Sequence, residues 1–376
     1  MRRLAAALFA FAFAAAHAFD AVTPGYQLRF PADRGAHPGY RTEWWYITGQ
    51  LDSPQGAFGF QVTFFRVRNT AAEREPGRFA PRQVLFAHAA LADIAQHRFR
   101  HDQRVERALV PLVEARTGDT GVRIDDWHLA RSGDAYRTQV AAEGFALELT
   151  MTPTQPVLLE GDAGLSRKGP ASGQASYYYS EPHLAVSGRV RVDGRAIDVH
   201  GTAWLDHEWS SEYLAPDAVG WDWLGANLDG GGALMAFRIR RKDGSPLWAA
   251  ATVRDAGGRA VSFGPDAVTF TPVRRWKSPA SGIEYPVEME VRVGERRLRV
   301  APLMDDQELD VRASAGTLYW EGAVRVEGDG GTKGRGYLEL TGYAGALVLG
   351  REREPTARAV RMAAHWSAAT PHSTPE

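Results

Sequence analysis

The 376-residue chain contains no cysteine. That one absence removes thiol nucleophiles, disulfide staples, cysteine-bound metals and a lipidated cysteine anchor together. The fold must be held by core packing alone, and the length is ample for that and suggests two domains. An excess of charge is missing too: 44 Lys and Arg stand against 45 Asp and Glu, for a net charge of −1. With no basic block, nucleic acid is not an expected partner. The apolar run from Leu4 to Ala16 falls short of the ~20 residues that a membrane-spanning helix needs. Helical periodicity is scarce. Only Ala357 to Trp366 reads as a short terminal helix, and Ser367 to Glu376 reads as a polar, disordered tail. No His-x-His or His-Glu-x-x-His pattern occurs, so neither a metal nor a cofactor is expected.

Arg2 and Arg3 precede the apolar run, and Ala16-His17-Ala18 closes it with small residues at the two positions a signal peptidase reads. Residues 1–18 are therefore expected to be a secretory signal peptide, which places the mature protein in a periplasm or outside the cell. The surroundings of the paired arginines suit ordinary export better than the twin-arginine route. Eleven Trp, 12 Tyr and 16 Phe are spread among 39 Gly and 21 Pro, a composition that points to an all-β protein. Val287 to Val293 alternates apolar and charged residues and turns at Gly294-Glu295 into Leu298 to Val300, a half-buried hairpin. Gly188 to Val192 meets Ala196 to Val199 through Asp193-Gly194, a strong two-residue turn signal.

The chain also repeats itself. Trp44-Trp45-Tyr46-Ile47-Thr48-Gly49-Gln50-Leu51-Asp52 aligns without a gap on Trp221-Asp222-Trp223-Leu224-Gly225-Ala226-Asn227-Leu228-Asp229, at an offset of 177 residues. Phe65 to Arg68 echoes Phe237 to Arg240. Tyr178-Tyr179 ahead of Gly201 to Leu205 echoes Tyr319-Trp320 ahead of Gly336 to Tyr343. This predicts two copies of one antiparallel unit, each closing into a β-barrel: residues 19–210 and 211–366, with the boundary near Ser210 to Pro216.

Five segments taken in order are familiar as a set: Arg41 to Tyr46, Gly161 to Gly169, Tyr177 to Ser180, Trp204 to Trp209, and Gly220 to Trp223. Together they resemble the AttH-like secreted proteins, relatives of bacterial carotenoid 1,2-hydratases and fungal lipocalin-like pericyclases. The resemblance spans nearly all of the mature chain. It implies two tandem lipocalin-like (calycin) antiparallel β-barrels, an aromatic ligand site, and association with an ABC transporter of the lipoprotein-exporting type. The His-x-Trp pair of the hydratase active site falls on His207 and Trp209. Where those enzymes use a downstream Tyr-x-Asp acid, this chain has Leu234-Met235-Ala236-Phe237-Arg238, with neither tyrosine nor acid.

On a strand, Leu205, His207 and Trp209 share one face and Trp204, Asp206 and Glu208 the other. His207 beside Trp209 could move a proton next to an apolar substrate. Asp222 sits on an otherwise apolar face, so it is either paired or raised in pKa. Its partner could be His207, making a catalytic acid–base pair, or an arginine at a barrel mouth. Glu43, Asp206 and Glu208 are candidate orienting carboxylates, with an Arg41–Glu43 surface pair as the plainer alternative for Glu43. Trp44, Tyr46, Tyr179, Trp209, Trp221 and Trp223 are candidate ligand walls, and Tyr177 and Tyr178 read as barrel wall. Gly164 to Lys168 has Lys where a nucleophile elbow needs Gly, so Ser166 and Lys168 suggest a turn against the other barrel or an anionic headgroup site rather than a hydrolase pair. Asp305 to Glu308 reads as a solvated acidic turn. Two functions survive: a soluble partner of an exporter that binds an apolar or amphipathic lipid or isoprenoid, and a hydro-lyase or isomerase acting on a polyene.

Overall fold

The structure, a computed structural model, describes residues 19–346 apart from 70, 71, 73, 74, 76, 78, 79 and 213. The expected signal peptide, terminal helix and tail lie outside the described residues. Two antiparallel sheets account for the fold, as tandem lipocalin-like barrels.

The first sheet takes β1 Thr42–Ser53, β2 Gly56–Arg68, β3 Gln83–Asp93, β4 Arg98–Arg107, β5 Val113–Ala115, β6 Gly121–Ile124, β7 Trp127–Ser132, β8 Ala135–Ala142, β9 Phe145–Pro153, β10 Leu158–Leu159, β11 Leu165–Arg167, β12 Ala175–Val192 and β13 Arg195–Glu212. The second takes β14 Ala218–Leu228, β15 Ala233–Arg241, β16 Pro246–Arg254, β17 Ala260–Phe263, β18 Val268–Lys277, β19 Glu284–Val293, β20 Arg296–Pro302, β21 Glu308–Asp310, β22 Leu318–Gly328 and β23 Lys333–Leu340. The strand orders are β4-β3-β2-β1-β13-β12-β9-β8-β7-β6-β5 and β17-β16-β15-β14-β23-β22-β20-β19-β18. Each unit is a four-strand meander whose first strand pairs with the unit's last strand, and each sheet curls until its far strands approach.

Local chemistry sets these strands. The β12–β13 hairpin turns on Asp193 and Gly194, both at positive φ (48° and 79°), the geometry that an Asp-Gly turn supplies at least cost. In β19, Val287, Met289, Val291 and Val293 are all fully buried, as their alternation requires. Alternation fails in β1, β2 and β3, where burial is nearly continuous. One face of these strands packs into the first barrel, and the other packs against the second.

There are accordingly four apolar clusters, the smallest joining Ala90 of β3 to Leu309, Val311 and Tyr319 of the second unit. One fills the first barrel around Trp45, Phe60, Trp127 and Tyr179, and one fills the second around Met289, Trp320 and Leu338. The third lies between the barrels and joins Tyr46, Tyr178 and Trp204 to Trp223, Phe237 and Tyr337. Gln50 crosses this seam, donating from Nε2 to the carbonyls of Val324 (2.8 Å) and Gly336 (3.0 Å). A side chain at Gly225 would collide with the ring of Trp223, so only glycine lets the Trp223 and Trp204 rings converge there.

Candidate functional site between the barrels

Strands β1 and β14 are the repeated first strands, and each turns alternate residues to opposite faces. Trp45 and Asp222 point into their own barrels. Trp44 and Tyr46 from one, and Trp221 and Trp223 from the other, point at each other across the seam and line a shared cleft. Phe65, Leu214, Phe237 and Ile239 complete its apolar wall, and Thr63, Lys168, Tyr178, Asp206, Glu208 and Glu339 supply its polar groups.

Asp206 and Glu339 are repeat equivalents. Asp206 stands opposite Tyr46 in the β1–β13 register, and Glu339 opposite Trp223 in the β14–β23 register. Each accepts a hydrogen bond from an indole: Trp204 Nε1 to Asp206 at 2.6 Å and Trp221 Nε1 to Glu339 at 2.9 Å. Asp206 also accepts from Tyr178 (2.5 Å) and Ser180 (2.6 Å), and the Tyr178 hydroxyl in turn accepts from Trp223 Nε1 (3.0 Å).

Burial pushes the Asp206 carboxyl up to about 7 against the pull of those three donors, and the like charge of Glu208 adds to the rise. Glu339 is also pushed up to about 7 by burial, opposed by Trp221 and reinforced by Asp206 and Glu208. Behind the wall, burial raises Glu160 to about 8 and Glu321 well above the carboxylate range. The Ser180 hydroxyl lies within hydrogen-bonding distance of both Glu160 (2.8 Å) and Asp206 (2.6 Å). One hydroxyl has one proton to give, so at least one of these two acids must carry its own. Lys168 pairs with Glu208 at 2.7 Å, and Glu208 also accepts from Ser176.

His207 is elsewhere. It faces into the first barrel, fully buried, with Trp45 stacked on it at 4.7 Å and Trp209 tilted against it at 4.9 Å. Its Nε2 lies 3.0 Å from Glu43, and its Nδ1 lies 3.1 Å from the Asp33 carbonyl and 3.3 Å from the Tyr179 hydroxyl. Burial outweighs the neighbouring carboxylate and lowers the imidazole pKa. Glu43 is ionised and can only accept, so His207 Nε2 carries a proton and donates to it. Residues 19–41 cover the group: His37 stacks on Trp209 at 3.8 Å and Phe30 meets Tyr179 edge-on at 5.0 Å.

Glu43 is the hub. It is fully buried and accepts from Arg66 Nε (2.8 Å), from the backbone N–H and Nδ1 of His37, and from His207. Desolvation raises its pKa, but these donors outweigh it and hold the carboxyl well below the usual range. The expected Arg41 partner is replaced by Arg66, directly opposite Glu43 in the β1–β2 register. Ligand atoms of His37, Glu43 and His207 lie within 4.8 Å of one another. Both carboxylate oxygens are already engaged, however, and a guanidinium sits beside them, so the group is a closed hydrogen-bonded knot that a cation would have to break.

Asp222 does not meet His207. Inside the second barrel it accepts from Arg238 (3.0 and 2.5 Å), Arg240 (3.0 Å) and the Tyr343 hydroxyl (2.9 Å). The arginine alternative therefore describes it, with two arginines rather than one. Asp222→Asn should cost about 2–3 kcal/mol, because two guanidinium groups lose their counter-charge. Denaturant unfolding monitored at the second barrel checks this; a loss below about 0.5 kcal/mol would remove Asp222 from the stability of that barrel.

Four expected wall residues, Trp44, Tyr46, Trp221 and Trp223, gather on the cleft, while Tyr179 and Trp209 lie inside the first barrel with His207. Asp206 and Glu208 line the cleft, and Glu43 does not. Lys168 reaches across to the second barrel, its Nζ 4.2 Å from the Phe237 ring centroid, as a turn against the other barrel would place it. The Asp305–Glu308 segment is less solvated than expected: Asp305 pairs with Arg274 at 2.7 Å, and buried Glu308 accepts from Ser278 and Ser281. Sequence reasoning missed Glu160, Glu321 and Glu339. The repeat as read carried Glu339 within its closing strand, Gly336 to Tyr343, but only the strand register makes it the counterpart of Asp206.

A family model described as AttH-like matches residues 21–343. The chain is similar to the crystal structure of a Nitrosomonas europaea protein assigned as an AttH, with 54% identity and a TM-score of 0.81 over 86% of this chain and all of that one. It is also similar to kievitone hydratase from Nectria haematococca, with 14% identity and a TM-score of 0.66 over 87% of this chain and 96% of that one, a likeness of fold. Comparison with curated proteins returned no match.

Proposed function

The chain belongs to the AttH-like family, and from that premise we propose that it binds an apolar or amphipathic small molecule, of lipid or isoprenoid type, in the cleft between its barrels. One observation carries this reading: among the described residues, the cleft combines an aromatic wall with a few convergent polar groups, while each barrel interior holds a packed core of its own side chains. Residues 1–18 support export, and an exported binder of this kind suits the soluble partner of an inner-membrane ABC transporter.

A second reading is favoured by Asp206. A carboxylic acid that keeps about half of its protons at neutrality, at the wall of an aromatic cleft, can protonate a double bond. The carbocation would be stabilised by the flanking indoles, and water would add to it and return a proton to the carboxylate, as in a hydro-lyase. In this reading the acid is Asp206, supported by Tyr178, rather than His207 with Asp222.

Native mass spectrometry with solvent extraction of the exported protein tests the binding reading. A co-purifying lipid or isoprenoid of one mass is expected. Trp223→Ala should lower the bound fraction through an affinity loss of about tenfold, roughly 1.4 kcal/mol. An unliganded protein whose tryptophan fluorescence ignores fatty acids, lysolipids and polyprenols would rule the reading out.

A further inference from the structure

The cleft holds more acid than base. Asp206, Glu208 and Glu339 line it, and Lys168 is the one cationic side chain among its described lining residues. Lys168 is itself spent on Glu208 at 2.7 Å. Its ammonium lies 4.8 Å from the Tyr178 ring centroid and 4.2 Å from that of Phe237, so the aromatic faces of this cleft already hold one positive charge. Asp206, 3% exposed, has only neutral donors around it: Ser180, Tyr178 and Trp204. Glu339 has the Trp221 indole. Tyr46, 6% exposed and part of the same wall, turns its buried hydroxyl toward the carboxyl of Glu321.

Resting on the binding reading above, we propose that the polar end of the cleft's ligand is an organic cation, a protonated amine or quaternary ammonium carried on an apolar chain. The chemistry discriminates among head groups. An anionic head would find Lys168, the one cation of the described lining, already paired with Glu208, and would hold Asp206 and Glu339 in their protonated forms. A neutral head would gain no ion pair from either acid. An ammonium gains aromatic faces of the wall by cation–π contact, as Lys168 does at Tyr178 and Phe237, and lets Asp206 and Glu339 ionise beside it. The apolar chain then lies along Phe65, Leu214 and Ile239.

Proton linkage follows with a definite sign. Glu160, Glu208, Lys168 and Tyr178 face Asp206, and Glu321, Asp206 and Glu208 face Glu339. Without a cation both acids sit near 7. A bound cation favours their ionised forms, so binding releases protons and affinity rises with pH through that range.

The test uses the full chain and three probes of equal chain length: octyltrimethylammonium, octan-1-ol and octanoate, each titrated calorimetrically at about pH 6 and about pH 8. The cation should bind about tenfold more tightly than the alcohol at the higher pH, octanoate should bind weakest, and the cation's advantage should shrink at the lower pH. Running the cation titration in two buffers of different ionisation enthalpy should reveal proton release. Asp206→Asn and Glu339→Gln should each bring the cation-to-alcohol affinity ratio down toward one. Octanol or octanoate binding as tightly as the cation would overturn the proposal and leave the binding reading in place. Failure of all three probes to bind would overturn both.

Discussion

Glu43→Ala should destabilise the first barrel by about 5 kcal/mol, the upper end of what breaking a buried ion pair costs. Glu43 and Arg66 are both fully buried and directly cross-strand, and the same carboxylate fixes His37 and His207. Removing it leaves a guanidinium in the core with one nitrogen, Nη1, already lacking a partner. Chemical denaturation read through the first barrel's tryptophans gives the number. The paired change Glu43→Leu with Arg66→Met should recover more than half of the loss, because it removes both charges together. A Glu43→Ala protein within about 1 kcal/mol of the parent would show that the knot is dispensable. The linkage has the ordinary carboxylate sign. With the folded-state pKa held well below its unfolded value, Glu43 contributes stability above the unfolded pKa and loses it as pH falls.

The acids around the cleft should run the other way. Asp206, Glu160 and Glu339 have folded-state pKa values pushed up to about 7, 8 and 7 from ordinary values of 3.8, 4.5 and 4.5. The folded protein therefore holds more protons than the unfolded chain between those limits. The contribution of these acids is fully present below the unfolded values and is lost as pH rises through the folded ones. The unliganded protein should lose several kcal/mol of stability from about pH 5 to about pH 8, at roughly 1.4 kcal/mol per unit of displacement for each acid, before any mutual relief. Denaturant midpoints across that window measure it. Asp206→Asn should flatten the profile and raise stability at the alkaline end. A parent profile that climbs or stays level there would mean the three carboxyls are ionised and solvated.

Much of the fold was legible in the chain because its signals are local. Asp193-Gly194 dictates its own turn, and Val287 to Val293 needs only a buried face to become β19. The repeat went further, since matched first strands, second strands and closing strands amount to one topology written twice. The cleft was harder to see. Alternation separates the two faces of β1 and β14, but it does not say which face meets a second barrel. Trp44, Tyr46, Trp221 and Trp223 were therefore named as wall, while Lys168 and Glu339 were not brought to it. The same ambiguity lies behind the His207–Asp222 pair. Asp222 is the repeat partner of Trp45, and Trp45 stacks on His207, so the repeat itself assigns Asp222 to the other barrel's interior. Arg66 was missed as the partner of Glu43 because cross-strand register is invisible in sequence, whereas Arg41, two residues away, is not.

The placement of the cleft on the outer surface of both barrels has a consequence for how the chain is made. The strand pairing of the first barrel is complete once β13 pairs with β1, and none of its strands pairs with β14. Emerging from a ribosome or a translocon, it would fold first and carry Trp44, Tyr46 and Phe65 on bare outer strands while the second half was still unstructured. For that interval the future wall of the cleft is a sticky, unfinished surface. Its natural cover is the late-arriving β14 and β15, so synthesis of the site and shielding of the site are one event.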